Sequence, residues 1–182
     1  MQSPPDAERA YAALVNQLQA ERIGHFRLVG IHSGGAWIAE RLQRDLGLPG
    51  PIGTIDISFY RDDYDEIGLH AEAEPTSIGF DVAGASILLV DDVLYTGRTI
   101  RGAMNVLFDY GRPARIELAA LVDRLGRQLP IEAHWVGTRI DLPKHEGLVL
   151  QRMRDTVGTE RFAFTVEASL SSGSAPGVSP AR

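Results

Sequence analysis

Ile87-Leu88-Leu89-Val90-Asp91-Asp92-Val93-Leu94-Tyr95-Thr96-Gly97-Arg98-Thr99 is the stretch that decides how this chain folds. An unbroken apolar run over 86–90 predicts a strand buried on both faces, as in a parallel sheet. Asp91 and Asp92 follow at its end, and Ile100 to Tyr110 has a helical period up to Gly111. Open α/β sheets bind ligands outside the carboxyl ends of their strands, which is where the two acids should emerge. Adjacent carboxylates cannot both face one way in a strand. As they leave it they can accept hydrogen bonds from two neighbouring hydroxyls, or hold water around a cation. Thr96 to Thr99 then opens a helix, where free N–H groups, a small glycine and two hydroxyls form a phosphate cradle. A diol acceptor beside a phosphate cradle suits a ribose 5-phosphate. Taken singly, the same residues also fit a helix cap and a plain turn. A P-loop is excluded, because it needs Gly-Lys-Ser/Thr and the only lysine is Lys144. A receiver domain has acids at a strand end but no need of the Thr-Gly-Arg-Thr loop.

Outward from this unit the pattern repeats. Ser3-Pro4-Pro5-Asp6 reads as a helix entry, and Tyr11, Leu14, Val15 and Leu18 form one apolar stripe. Phe26 to Ile31 predicts a strand, His32-Ser33-Gly34-Gly35 a turn, and Trp37, Ile38 and Leu42 one face of a helix ending at Gly47. Beyond the breaker Leu48-Pro49-Gly50-Pro51, the alternation of Ile55, Ile57 and Phe59 with polar residues predicts a half-buried strand. Arg61 to Phe80 is polar and aperiodic, which reads as a lid or hairpin. Ile116 to Val122, His134 to Ile140 and Leu148 to Met153 are further strands. Strands alternating with helices mean a parallel α/β sheet. The expectation is one domain over 1–168 and a disordered Ser/Gly/Pro tail over 169–182.

Composition narrows the class. With 182 residues, 44% apolar and 23% charged, the chain fits one globular domain or two small ones. The absence of cysteine excludes disulfides, a thiol nucleophile and iron–sulfur chemistry. A formal charge of -6 argues against coating nucleic acid by counterion release, although a local basic patch stays open. No window has the apolar length of a membrane span, and Met1 to Glu8 lacks the pattern of a secretory signal, so a cytoplasmic location is expected.

At Ile87 to Thr99 the sequence resembles the type I phosphoribosyltransferases, whose phosphoribosyl pyrophosphate motif has this apolar, double-acid, Thr-Gly-x-Thr form. The wording Val90 to Thr99 looks like the PyrR family, the bifunctional pyrimidine operon regulators and uracil phosphoribosyltransferases. Asp56-Ile57-Ser58-Phe59-Tyr60-Arg61-Asp62-Asp63 upstream supports this, as do Gly111-Arg112-Pro113 and Leu121-Val122-Asp123-Arg124 downstream. The resemblance runs from about Phe26 to about Leu150. It implies a type I phosphoribosyltransferase fold, a central, mostly parallel sheet flanked by helices, with a small hood and a flexible loop. It also implies transfer of a phosphoribosyl group from phosphoribosyl pyrophosphate to uracil, giving UMP and pyrophosphate, with Mg²⁺ held through substrate and water.

By the same resemblance Asp91 and Asp92 hold the ribose hydroxyls and act in catalysis, and Val93, Leu94, Tyr95, Thr96, Gly97, Arg98 and Thr99 complete the phosphoribosyl pyrophosphate site. His32, Ser33, Gly34 and Gly35 correspond to the pyrophosphate loop, here without the arginine of better-known members. Arg61, Asp62 and Asp63 begin the catalytic loop, and Arg61 would reach the diphosphate; a solvated hairpin is the alternative. Arg124 either donates to a uracil carbonyl or serves as a surface ion-pair partner. His134 to Gly137 would form the hood, with Val136 reading the base and Trp135 either walling it or packing in the core. A dimer or tetramer is expected. Two alternatives remain on sequence alone. One is an RNA-binding attenuation regulator with vestigial catalysis, gripping RNA through Arg9, Arg22, Arg27, Arg41 and Arg44. The other is a phosphoribosyltransferase for another base.

Overall fold

The apolar run before the two acids becomes the central strand of a parallel sheet. The computed structural model describes residues 3–57, 75–154, 156 and 158–168. In chain order its elements are α1 (Ala7–Ala20), β1 (Arg27–Ile31), α2 (Gly34–Leu46), β2 (Gly53–Ile55), β3 (Ser86–Leu94), α3 (Arg98–Tyr110), β4 (Arg115–Asp123), β5 (Trp135–Arg139), β6 (Glu146–Arg154) and β7 (Glu160–Ala168). Five strands pair in parallel in the order β2-β1-β3-β4-β5. The chain therefore runs outward in one direction from β1 and in the other from β3. Such a reversal leaves a crevice at the carboxyl ends of the two strands, because the connections that follow them leave to opposite sides.

Alternation on β3 explains the two layers. Leu88 and Val90 enter a core shared with Leu14 and Leu18 of α1 and Ile38 and Leu42 of α2. Ile87 and Leu89 enter a second core with Ile100, Ala103 and Leu107 of α3. All four strand side chains are fully buried, each worth about 1.5–3 kcal/mol relative to exposure. The helices begin and end where local chemistry directs. Asp6 caps α1 by accepting from the Arg9 N–H at 3.0 Å. Gly47 closes α2 in the left-handed region, at φ +60°. Among the described residues no helix is long and apolar enough to cross a membrane.

Four expectations need correction. The central strand does not stop at Val90 but runs through both acids to Leu94. Leu148 to Met153 lies outside the parallel sheet, in β6, which forms an antiparallel pair with β7. His134 to Gly137 makes no separate hood: Trp135 opens β5, level with Ala119 in the middle of β4. Of the alternation expected over Ile55, Ile57 and Phe59, Ile55 ends a short β2 and Ile57 is buried beyond it, while Phe59 lies outside the described residues. The lid expected over Arg61 to Phe80 lies outside the described residues as far as residue 74. Its end is pinned, because Ser77 and Thr54 exchange backbone hydrogen bonds of 2.9 and 2.8 Å. The tail 169–182 also lies outside the described residues.

The Glu8 carboxylate is one of the groups that fasten the β6–β7 pair. Glu8 of α1 accepts two bonds from the Arg41 guanidinium, at 2.7 and 2.8 Å, and one from the Phe162 N–H at 2.7 Å. It thereby joins α1, α2 and β7. Partial burial by itself raises the Glu8 pKa, but the Arg41 and Phe162 hydrogen bonds and the Arg41 charge outweigh it and hold the carboxyl below its ordinary 4.5. A lowered folded-state pKa contributes stability that is full above the unfolded value and lost as pH falls through the folded one. Thermal melts of Glu8→Gln against the parent should therefore differ by a constant amount above pH 4.5 and converge below it. Since the Glu8 side chain is 38% exposed, the difference should be about 1 kcal/mol or less. Curves that stay parallel down to the acid transition would contradict this fastening.

Candidate active site

The crevice between β1 and β3 brings together the two loops singled out in the sequence. From β1 comes His32 to Gly35, opening α2; from β3 come Asp91, Asp92 and the loop into α3. Their contact is close. A Cβ added at Gly34 would fall onto the carboxylate of Asp92, and one at Gly35 onto the carbonyl oxygen of Val90. These glycines are thus required first for the approach of one loop to the other strand, before any oxyanion is considered. The His32 N–H donates to the Ile55 carbonyl at 2.9 Å, which fixes the start of the loop to β2.

Within β3, Asp91 is buried and Asp92 half-buried. Asp91 Oδ1 accepts from the Asp92 N–H at 3.1 Å, and Asp92 Oδ1 from the Val93 N–H at 2.9 Å. Each carboxylate steadies the peptide that follows it, which is how two acids are accommodated inside a strand. The next turn is built for the left-handed region: Gly97 has φ +92° and sits at the amino end of α3. Thr96 Oγ1 accepts from the Arg98 N–H at 3.3 Å. The loop therefore lies at a helix N-terminus, with its positive dipole end at the crevice.

Replacing Gly97 by Val tests this turn. A β-branched side chain is strained at that φ, and its Cβ would press on Ile131 and Leu129 at 3.3 and 3.4 Å. The expected outcome is a loss of about 1–3 kcal/mol in stability and weaker binding of a phosphate-bearing substrate. Unchanged affinity in substrate titrations would count against the loop.

Arg124 follows β4 and is buried, so it is not a surface ion-pair partner. Its guanidinium stacks on the Tyr95 ring, 4.1 Å from the centroid, and Nη2 donates to the Pro143 carbonyl at 3.3 Å. Nε has no partner among the described residues. Trp135 and Val136 are not brought to the crevice. Trp135 packs edge-on against Phe26 at 6.2 Å in the core under α1, and Val136 lies in the core under α3 with its carbonyl taken by Gln17 Nε2. Arg61 lies outside the described residues. Asp123 at the end of β4, and Arg127 and Gln128 in the segment after it, sit beside the loop into α3, and sequence reading gives none of the three a role.

The donors at the crevice suit a magnesium ion carried by a diphosphate. Two carboxylates beside a loop of backbone amides resemble the sparse protein share of an Mg²⁺ site, in which substrate and water supply most ligands. Among the described residues no cluster of three metal-binding side chains occurs.

A doubly wound parallel sheet whose reversal point joins a glycine loop to a double acid and a Thr-Gly-Arg-Thr turn defines a phosphoribosyltransferase, and the phosphoribosyl transferase domain matches residues 4–149. Two similar chains are the proteins named bifunctional protein PyrR from Ralstonia nicotianae and Nitrosococcus oceani. The first is 53% identical over 166 residues, 89% of this chain and 94% of that protein. The second is 50% identical over 162 residues, 87% of this chain and 88% of that protein. This chain belongs to the PyrR family of phosphoribosyltransferases. Among solved structures, a hypoxanthine phosphoribosyltransferase from Staphylococcus aureus superposes with a TM-score of 0.58 at 20% identity, covering 82% of each chain. A purine phosphoribosyltransferase from Pyrococcus horikoshii gives 0.53 at 22%, covering 74% of this chain and 83% of the other. These two establish the shared fold.

Proposed function

We propose that the chain transfers the phosphoribosyl group of phosphoribosyl pyrophosphate to uracil, giving UMP and pyrophosphate. The observation that carries this reading is the contact of the Gly34 backbone with the Asp92 carboxylate, which puts a diol acceptor and an amide-lined loop within one sugar's length. In the reaction the bond from the anomeric carbon to pyrophosphate breaks, the bond to the uracil nitrogen forms, and that nitrogen loses its proton. Positive charge builds on the ring as the leaving group departs. Asp91 and Asp92, bound to the ribose hydroxyls, oppose that charge, while the amides of Ser33 to Gly35 are assigned to the diphosphate. Mg²⁺, bound with the substrate, would neutralise the leaving oxygens. Arg61 is assigned to the diphosphate by resemblance.

For the base, the carboxyl end of β5 replaces Trp135 and Val136 in this reading. Thr138 and Arg139 lie level with Val122 and Asp123, and the Ile140 N–H donates to the Asp123 carbonyl at 2.9 Å. Arg124 remains the proposed donor to a uracil carbonyl. Phosphorus NMR of the protein with uracil, phosphoribosyl pyrophosphate and Mg²⁺ tests the reaction. Signals of a nucleoside 5-phosphate and free pyrophosphate are expected, and persistence of the starting diphosphate would overturn it.

The shared name of the relatives, bifunctional, favours a second role beside transfer, and we assign it to UMP-responsive regulation of pyrimidine operon transcription. The proposed RNA face is reduced by the fold. Arg41 is paired with Glu8, and Arg44 with Glu160 at 2.9 Å. Generic structured RNA is therefore expected to bind only at dissociation constants of roughly 10⁻⁴ to 10⁻⁶ M at physiological salt. Filter binding at two salt concentrations checks this, and tight, UMP-enhanced binding of one operon leader would establish specific recognition.

A further inference from the structure

The segment that follows β4 grips the back of the phosphate loop. Three successive carbonyls of that loop point at it. The Leu94 carbonyl accepts from the Arg124 N–H at 2.9 Å, and the Thr96 carbonyl from the N–H groups of Gln128 and Leu129 at 3.0 and 3.2 Å. The Tyr95 carbonyl accepts from Arg127 Nη1 at 2.6 Å, and the same nitrogen lies 3.4 Å from the Leu94 carbonyl. Arg127 is itself fixed at both ends, by Nε donating to the Ile131 carbonyl at 2.8 Å and Nη2 pairing with Asp123 Oδ2 at 2.8 Å.

A trans peptide is planar, with its C=O and N–H pointing in opposite directions. Carbonyls of Leu94, Tyr95 and Thr96 pinned to one side therefore aim the N–H groups of Tyr95, Thr96 and Gly97 to the other, away from the Arg127 segment. Side chains reinforce the grip. Arg124 lies over one face of the Tyr95 ring, and a Cβ at Gly126 would drive into the same ring. The Arg127 charge is matched by the buried Asp123 carboxylate, so its part is to hold geometry rather than to add field at the phosphate.

We propose that Arg127, locked by Asp123, is the positioning residue of the 5-phosphate loop, preorganising its amides through the carbonyls of Leu94 and Tyr95. This rests on the reading of Leu94 to Thr99 as the 5-phosphate site. Preorganisation at this level matters because a displacement near 1 Å can cost on the order of 100-fold in a bound reaction.

The test compares the parent with Arg127→Met, which removes every donor, and Arg127→Lys, which keeps the charge opposite Asp123 but only one reach toward the carbonyls. Four quantities are read: the dissociation constant of ribose 5-phosphate by calorimetry, the Michaelis constants for both substrates, kcat, and the melting temperature. Arg127→Met should weaken ribose 5-phosphate and phosphoribosyl pyrophosphate by about 10- to 100-fold, with the constant for uracil unchanged and kcat falling less. Arg127→Lys should recover part of the loss. If Arg127→Met does not fold, Arg127→Lys alone decides, with weakened ribose 5-phosphate binding at a near-parental melting temperature supporting the role. Parental affinity in a folded variant overturns it. A parent that fails to bind ribose 5-phosphate refutes the site reading itself, and the role of Arg127 falls with it.

Discussion

Asp92→Asn is expected to lower kcat by about 10²- to 10³-fold, the cost of removing one preorganised charge from a developing ionic centre. Stability should move by less than about 1 kcal/mol, or roughly 2–4 °C in melting temperature for a chain of this size. The separation of the two effects follows from the geometry. Asn keeps an oxygen to accept from the Val93 N–H, the bond that Asp92 Oδ1 makes at 2.9 Å, and occupies the same volume against Gly34. What is lost is the charge, together with one acceptor oxygen that becomes a donor. Asp91→Asn should behave alike, since its oxygen still accepts from the Asp92 N–H, although its burial makes the fold more sensitive. Steady-state kinetics with thermal melts on both variants check this. Near-parental turnover with both acids replaced would remove the assignment of the ribose site.

Gly34→Ala is the second large effect. The added Cβ would land on the Asp92 carboxylate, and neither can yield easily, because Gly34 starts α2 and Asp92 is held within β3. Relief must come from shifting the pyrophosphate loop or turning the carboxylate, and each pulls apart the two halves of the site. Activity should drop on the order of 100-fold, with about 1–3 kcal/mol lost in stability from overpacking. Asp92→Ala in the same chain removes the obstructing carboxylate and leaves only the Asp92 Cβ, at 2.8 Å. Thermal melts of the double variant should therefore recover part of the stability without recovering turnover. Additive losses of stability would show that the contact is not what Gly34 is for.

Much of this was legible in the sequence, for identifiable reasons. Ile87 to Val90 and Ile116 to Val122 have no polar residue except Glu117, and only a doubly covered parallel strand tolerates such runs. The loops ending in Gly34-Gly35 and Gly97 follow β1 and β3, so their meeting at the sheet reversal could be anticipated once the strands were paired. The end of β3 was misread because acids ordinarily leave a strand. Here Asp91 and Asp92 each bond the next N–H, a local device that polarity alone does not reveal. β7 was passed over although Phe162, Phe164 and Val166 alternate with less apolar neighbours. Its place depends on packing against Tyr11, 5.8 Å from Phe162, and on Glu8, far off in the chain.

Trp135 and Val136 show the limit of reading a strand without its register. Periodicity recognised β5 but could not say that these residues sit level with Ala119 and Ala120, below the carboxyl ends, rather than at the crevice. The Arg127 brace has no local signature at all. It consists of side-chain bonds to carbonyls about thirty positions away, at Leu94 and Tyr95, and only the folded parallel pair β3–β4 brings them together.

The most direct measurement of the central claim is pyrophosphate release from phosphoribosyl pyrophosphate and Mg²⁺ with uracil, hypoxanthine, orotate and adenine supplied one at a time to the same preparation. Turnover with uracil and little or none with the other three is the predicted result. Turnover with a purine or orotate and none with uracil would contradict it, leaving the ribose and phosphate sites in place but the assignment of the base wrong.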